Sequence, residues 1–100
     1  MRARLIKEDW PEDFRGVKED IFSIWDTWEE DRSRISWFYF PNNRNYPIQI
    51  RFEFLDGWSD DFYYDVNNYL KEYKIKNFGK LDYPFNWKWT DYDLTIYVDN

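Results

Sequence analysis

The chain has 100 residues, 43% of them hydrophobic and 25% Phe, Trp or Tyr, with 14 Lys and Arg against 20 Asp and Glu for a formal net charge of −6. Cysteine and histidine are both absent, which excludes a disulfide framework, a thiolate nucleophile and any chemistry that needs imidazole as ligand or proton shuttle. The acidic balance argues against direct nucleic-acid binding, because phosphate contacts need Lys and Arg; it suits a basic protein partner, or solubility alone.

This length predicts a single domain over 1–100, with a core built largely of rings, each able to bury about 150–250 Å². The basic start, Met1 to Lys7, leads straight into acids, with no apolar run like that of a signal peptide and no stretch of membrane-spanning length. The expectation is a cytoplasmic protein with no membrane partner.

Residues 2–7 read as a short first strand. Asp9 to Asp31 then reads as an amphipathic helix: Phe14, Val17, Ile21, Ile24, Trp25 and Trp28 recur at steps of three, four and seven. Asp9 and Glu12 have a capping-box spacing, and Pro11 sits in the first turn. Gly16 lies off the apolar stripe, so close packing does not explain a residue that costs about 1 kcal/mol against Ala in a helix. On the opposite side Glu12, Glu19, Asp26 and Glu30 align, with Asp13, Asp20 and Asp31 beside them. Glu29, Glu30 and Asp31 fall at the helix C-terminus, where the dipole opposes them.

Ile35 to Phe40 reads as a strand that is apolar on both faces, from Trp37 onward, and so needs a second cover. Pro41 to Pro47 is a loop by composition. Ile48, Ile50, Phe52 and Phe54 alternate with Gln49, Arg51 and Glu53, a half-buried strand pairing antiparallel with the previous one. Asp56-Gly57 marks a turn, Ser59 an N-cap, and Phe62, Val66, Tyr69, Leu70 and Tyr73 the stripe of a second helix ending near Asn77. In the last segment apolar residues switch from odd positions (Phe85, Trp87, Trp89) to even ones (Tyr92, Leu94, Ile96, Val98). A hairpin turning at Thr90-Asp91 accounts for the switch by placing Trp89 opposite Tyr92. A bulge in one long strand is the alternative.

The expected fold is therefore α+β. Two helices cover one face of a mostly antiparallel sheet of four or five strands, in a ferredoxin-like β-α-β-β-α-β order. Without the first strand it becomes an α-β-β-α-β-β layer domain.

No catalytic signature is present. The serines have no G-x-S-x-G context, the three glycines are too dispersed for a phosphate loop, and no cofactor or metal is expected. Asp56, Asp60, Asp61 and Asp65 could in principle hold Mg²⁺ or Ca²⁺, but their spacing fits no calcium loop, and Asp60 and Asp61 are accounted for by capping. Residues 8–31 carry ten acids against Arg15 and Lys18, so the first helix monopolises the net charge.

The leading expectation is a non-catalytic inhibitor or antagonist that covers the basic, nucleic-acid-binding surface of a partner such as a nuclease. Small antagonists of restriction or CRISPR nucleases, and immunity proteins against nuclease toxins, share this profile of size and charge. Glu12, Glu19, Asp20, Asp26, Glu29 and Glu30 supply the steering charge, and Trp58 and Tyr64 the exposed rings. Two alternatives are a ligand-binding or metal-dependent enzymatic domain with a carboxylate–aromatic pocket around Trp58, Asp60, Asp61 and Tyr64, and a homodimer that buries the doubly apolar strand.

Overall fold

The computed structural model describes residues 16–40, 48–79 and 84–98. In chain order these form helix α1 over 16–28, a 3-10 turn at Arg32–Arg34, strands β1 (Ile35–Tyr39) and β2 (Ile48–Phe54), helix α2 (Asp60–Phe78), and strands β3 (Phe85–Trp89) and β4 (Asp93–Val98). The strands make one antiparallel sheet in the order β1-β2-β4-β3. Two helices and a four-stranded antiparallel sheet give the α+β class. The strand expected over 2–7 lies outside the described residues. Because β2 is bonded to β1 on one side and to β4 on the other, no further strand fits between β2 and β4. A split β-α-β order would put its first strand there. The described elements follow the α-β-β-α-β-β order instead.

Both helices lie on the same sheet face. Each strand presents alternate residues to the core, and the ring contacts fix which helix covers which strands. From α1, Phe22 meets Phe52 edge-on at 5.9 Å, and Trp25 stacks on Phe54 at 5.2 Å. Lys18 Nζ stands 4.1 Å over the Trp37 ring. From α2, Tyr63 lies 4.9 Å from Trp89 and Tyr73 5.3 Å from Phe85. Thus α1 covers the β1–β2 half and α2 the β4–β3 half. Trp25, Phe52, Phe54, Phe62 and Phe85 are fully buried between them. A single acceptor, Asn67 Oδ1, receives the indole N–H groups of Trp87 (3.0 Å) and Trp89 (2.8 Å), which lets two tryptophans face the core without orphaned donors.

The second helix follows its sequence signals closely. Ser59 Oγ accepts the Phe62 N–H, Asp60 and Asp61 fill the first turn, and Gly79 closes the helix at φ 85° with its N–H on Ile75 O. Only glycine takes that left-handed conformation without cost.

The last segment is a hairpin, with its register two residues away from the one expected. Trp89 faces Leu94 rather than Tyr92, and Phe85 faces Val98. The loop is Asp91-Tyr92, locked because the Thr90 N–H donates to Asp93 O while Thr90 Oγ1 accepts the Asp93 N–H. Shifting the turn by one residue preserves the odd–even pairing, so the same rings face the core.

Trp28, expected in the core, is 42% exposed. It has the right angular phase but is the last residue of α1, and its indole N–H donates to Asp65 Oδ2 of α2 at 2.5 Å.

Candidate functional site

The described part of α1 stops at residue 28, so Glu29, Glu30 and Asp31 lie in the exit from the helix rather than in its last turn. Glu29 and Glu30 both direct their N–H groups to Trp25 O, and the buried Trp25 returns its own indole N–H to Asp31 O at 2.9 Å. The Asp31 N–H bonds to Glu29 O at 2.8 Å across Glu30, which sits at φ 68°. A two-residue bond over a positive-φ centre is a γ-turn of the strained hand. Glu30 is the single described non-glycine residue at positive φ. Its side chain is exposed, and among the described residues it takes part in no hydrogen bond or ion pair.

Its neighbours are occupied. Glu29 Oε1 accepts the Ser59 N–H at 2.5 Å, and Glu29 Oε2 lies 3.9 Å from Arg34. With its side chain 12% exposed, Glu29 ties the exit of α1 to the entry of α2. Expected from sequence as a partner contact, Glu29 has its carboxylate engaged inside the fold. Asp26 is also committed, receiving Arg32 Nε at 2.9 Å and Nη2 at 2.6 Å. Those hydrogen bonds, aided by the guanidinium charge, hold the Asp26 carboxyl below its ordinary value. The Ser33 hydroxyl and N–H do the same for Asp31. Asp20 Oδ2 accepts the Tyr69 hydroxyl proton at 2.7 Å, and Glu19 lies 3.6 Å from Lys18. Glu12 lies outside the described residues. The continuous acidic ridge expected on α1 is thus largely answered by residues of its own chain.

The two expected ring anchors differ. Trp58 is half-buried, 5.4 Å from Phe54 and 4.8 Å from Trp89, so it belongs to the stack that closes this end of the core. Tyr64 is 64% exposed.

The Glu29–Ser59 and Trp28–Asp65 bonds place residues 28–30 beside 59–65. On α2, Asp61, Tyr64 and Asp65 are three and four residues apart and share one exposed face, to which Trp28 is joined through Asp65. Residues 56–65 contain four acids and no base. Arg34 draws one of them, Asp56, to 3.3 Å, while Asp60 and Asp61 have no side-chain partner among the described residues. This end of the molecule therefore combines unanswered carboxylates (Glu30, Asp60, Asp61) with two exposed rings (Trp28, Tyr64) held on rigid elements. Asp60 and Asp61, read from sequence as capping residues, appeared only in the alternative carboxylate–aromatic site with Trp58 and Tyr64; Asp65, read as a metal-ligand candidate, and Trp28, read as core, are the members missed. The i, i+3, i+4 spacing of Asp61, Tyr64 and Asp65 was the available signal.

No family model, curated protein or solved structure matches this chain. The surface chemistry alone carries the functional reading.

Among the described residues no three acids converge as they would around a metal ion, so the Asp56, Asp60, Asp61 and Asp65 group does not form a cation cage. The cleft worth naming lies elsewhere. It has a volume of about 380 Å³ between α1 and α2, with Gly16 and Asp20 on one wall and Tyr69, Glu72, Tyr73 and Lys76 on the other. A Cβ at Gly16 would meet nothing within 4 Å, which agrees with its place off the apolar stripe. No described helix is long and apolar enough to cross a membrane.

Proposed function

We propose that this protein is a non-catalytic binding protein that covers the basic, nucleic-acid-binding surface of a protein partner, such as a nuclease, and docks through the end where α1 leaves and α2 begins. The observation that carries this reading is Glu30. An acidic residue stands at a backbone angle that costs a non-glycine residue about 1–2 kcal/mol, and its carboxylate has no partner among the described residues. Strain of that kind concentrates where a side chain has work outside the fold. Around it, Asp60 and Asp61 supply charge for steering, and Trp28 and Tyr64 supply rigid aromatic area, the residue types that dominate contact energy.

Relative to the sequence expectation, the docking surface moves from the length of α1 to its C-terminal end. Asp26 and Glu29 drop out, Glu30 and Tyr64 stay, and Trp28, Asp60 and Asp61 join. The test is association with a panel of basic nucleases at rising NaCl. The reading expects affinity that falls steeply with salt and weakens at least tenfold, about 1.4 kcal/mol, when Glu30 and Asp61 are both changed to Lys, while Asp26→Asn leaves it unchanged. Binding indifferent to salt and to those two charges refutes it.

A second reading, a small-ligand domain, is favoured by one observation: the cleft between the helices has a carboxylate–aromatic lining in Asp20, Glu72, Tyr69 and Tyr73. Thermal stabilisation by a cationic ligand, abolished by Glu72→Leu, supports it; a flat response across a panel of amines removes it.

A further inference from the structure

The sheet face opposite the helices is bare in the described structure, and its charges are mismatched within one copy. Lys18 over Trp37 marks the odd residues of β1 as facing α1, so Phe38 and Phe40 face the other way, joined there by Arg51 and Glu53 of β2. Phe38 and Phe40 stack on each other at 6.2 Å, and the Arg51 guanidinium lies against both, at 5.7 and 5.6 Å from their ring centres. Arg51 Nε is buried yet has no hydrogen-bond acceptor. Two residues along the same strand, Glu53 stands directly opposite Asp93 of β4 in the register. Like charges in that position repel, and neither carboxylate has a side-chain partner among the described residues. Among the described residues this face thus holds Arg51 with no acid in ion-pair reach and Glu53 and Asp93 with no base in reach, Lys88 of β3 lying across Thr95; it carries Phe38 and Phe40, 36–40% exposed, on and just past a strand with no charged residue to discourage association.

We propose that this face binds a second copy of the chain, sheet against sheet about a two-fold axis, so that Arg51 of each copy meets Glu53 and Asp93 of the other. A two-fold contact needs a surface complementary to itself, with residue i on j and j on i. The arrangement of Arg51, Glu53 and Asp93 meets that condition, whereas the acidic end described above, dominated by one sign, does not. Pairing gives the half-buried Arg51 guanidinium a carboxylate partner through its outer nitrogens, relieves the Glu53–Asp93 repulsion, and covers Phe38 and Phe40. It also leaves the α1–α2 end of each copy free, so this inference stands apart from the proposed partner surface.

The experiment is the mass of the intact chain by light scattering or sedimentation across micromolar to millimolar concentrations. The expected result is a shift from the 12.7 kDa of one chain to twice that value. Arg51→Glu and Glu53→Arg are each expected to hold the chain at the single mass. The double exchange Arg51→Glu with Glu53→Arg should restore the double mass, since it recreates the complementary pair across the axis. Glu53 is exposed, so its variant keeps the test valid even where the Arg51 variant folds poorly, and restoration by the exchange cannot come from unfolding. A single mass for the unaltered chain throughout, or a dimer that survives both single substitutions (as pairing through the β1 edge would), overturns the proposal.

Discussion

Replacing Glu30 by Gly should make the protein more stable. Three effects contribute. Glu30 sits at φ 68° in a turn closed by the Asp31 N–H on Glu29 O, and releasing a non-glycine residue from that region gains about 1–2 kcal/mol. Glycine then gives back about 0.5–1 kcal/mol through its greater freedom in the unfolded chain. Removing a negative charge just past the C-terminus of α1 adds about 0.3–1 kcal/mol at low salt. The net gain is about 1 kcal/mol, which corresponds to roughly 4–8 °C in Tm for a domain of this size. Urea and thermal unfolding at low ionic strength measure it. Glu30→Gln, which removes the charge and keeps the backbone cost, isolates the conformational part and should recover only the smaller electrostatic share. If Glu30→Gly is no more stable than Glu30→Gln, the residue is not strained and its support for a functional role is gone. The same Glu30→Gly protein should bind a basic partner more weakly, so that stability and binding move in opposite directions.

Other substitutions probe the supports of this site. Glu29→Ala removes a charge-assisted bond to the Ser59 N–H and should cost about 2 kcal/mol in urea unfolding; a loss under about 0.5 kcal/mol would return Glu29 to the list of surface contacts. Asn67→Leu leaves the Trp87 and Trp89 indole N–H groups without their shared acceptor, and at about 1–3 kcal/mol each should rank among the most disruptive single changes outside the apolar core. Asp26 is held below its ordinary value by hydrogen bonds from Arg32. The stability linked to it is therefore complete above the carboxylate range of the unfolded chain and is lost as pH falls through the lower folded value. Carboxyl NMR should show the Asp26 midpoint below 3.8 and moving up toward that value in Arg32→Gln; an Asp26 midpoint unmoved by that change excludes the pairing.

The fold was legible where a local rule acted alone. The alternation of Ile48, Ile50, Phe52 and Phe54, the Ser59 cap, and the odd–even switch after Trp89 each gave the right element. Each depends only on side-chain period or backbone chemistry. The hairpin turn was misplaced by one residue because Thr90 Oγ1 closes it without the Gly or Asn that usually marks the position. What periodicity does not encode is height along a helix. Trp28 shares the phase of Val17 and Ile21 yet, as the last residue of α1, is 42% exposed, and Glu29 has the phase of a surface acid yet meets Ser59 thirty residues away in sequence. Which carboxylates are answered within the chain depends on such distant partners: Arg32 for Asp26, Tyr69 for Asp20, Ser59 for Glu29. Counting charges along α1 therefore overstated the ridge and kept Asp60 and Asp61 apart from it, in an alternative site with Trp58 and Tyr64.

The most direct test of the acidic end as a docking surface is an amide NMR titration of the protein with a basic nucleic-acid-binding domain at low salt. The account predicts that shifts concentrate in residues 28–30 and 59–65, with the indole N–H of Trp28 moving among them, and that added NaCl reverses the shifts. Shifts confined to the outer sheet face around Arg51, or to the cleft between Asp20 and Glu72, with residues 28–30 unmoved, would contradict it.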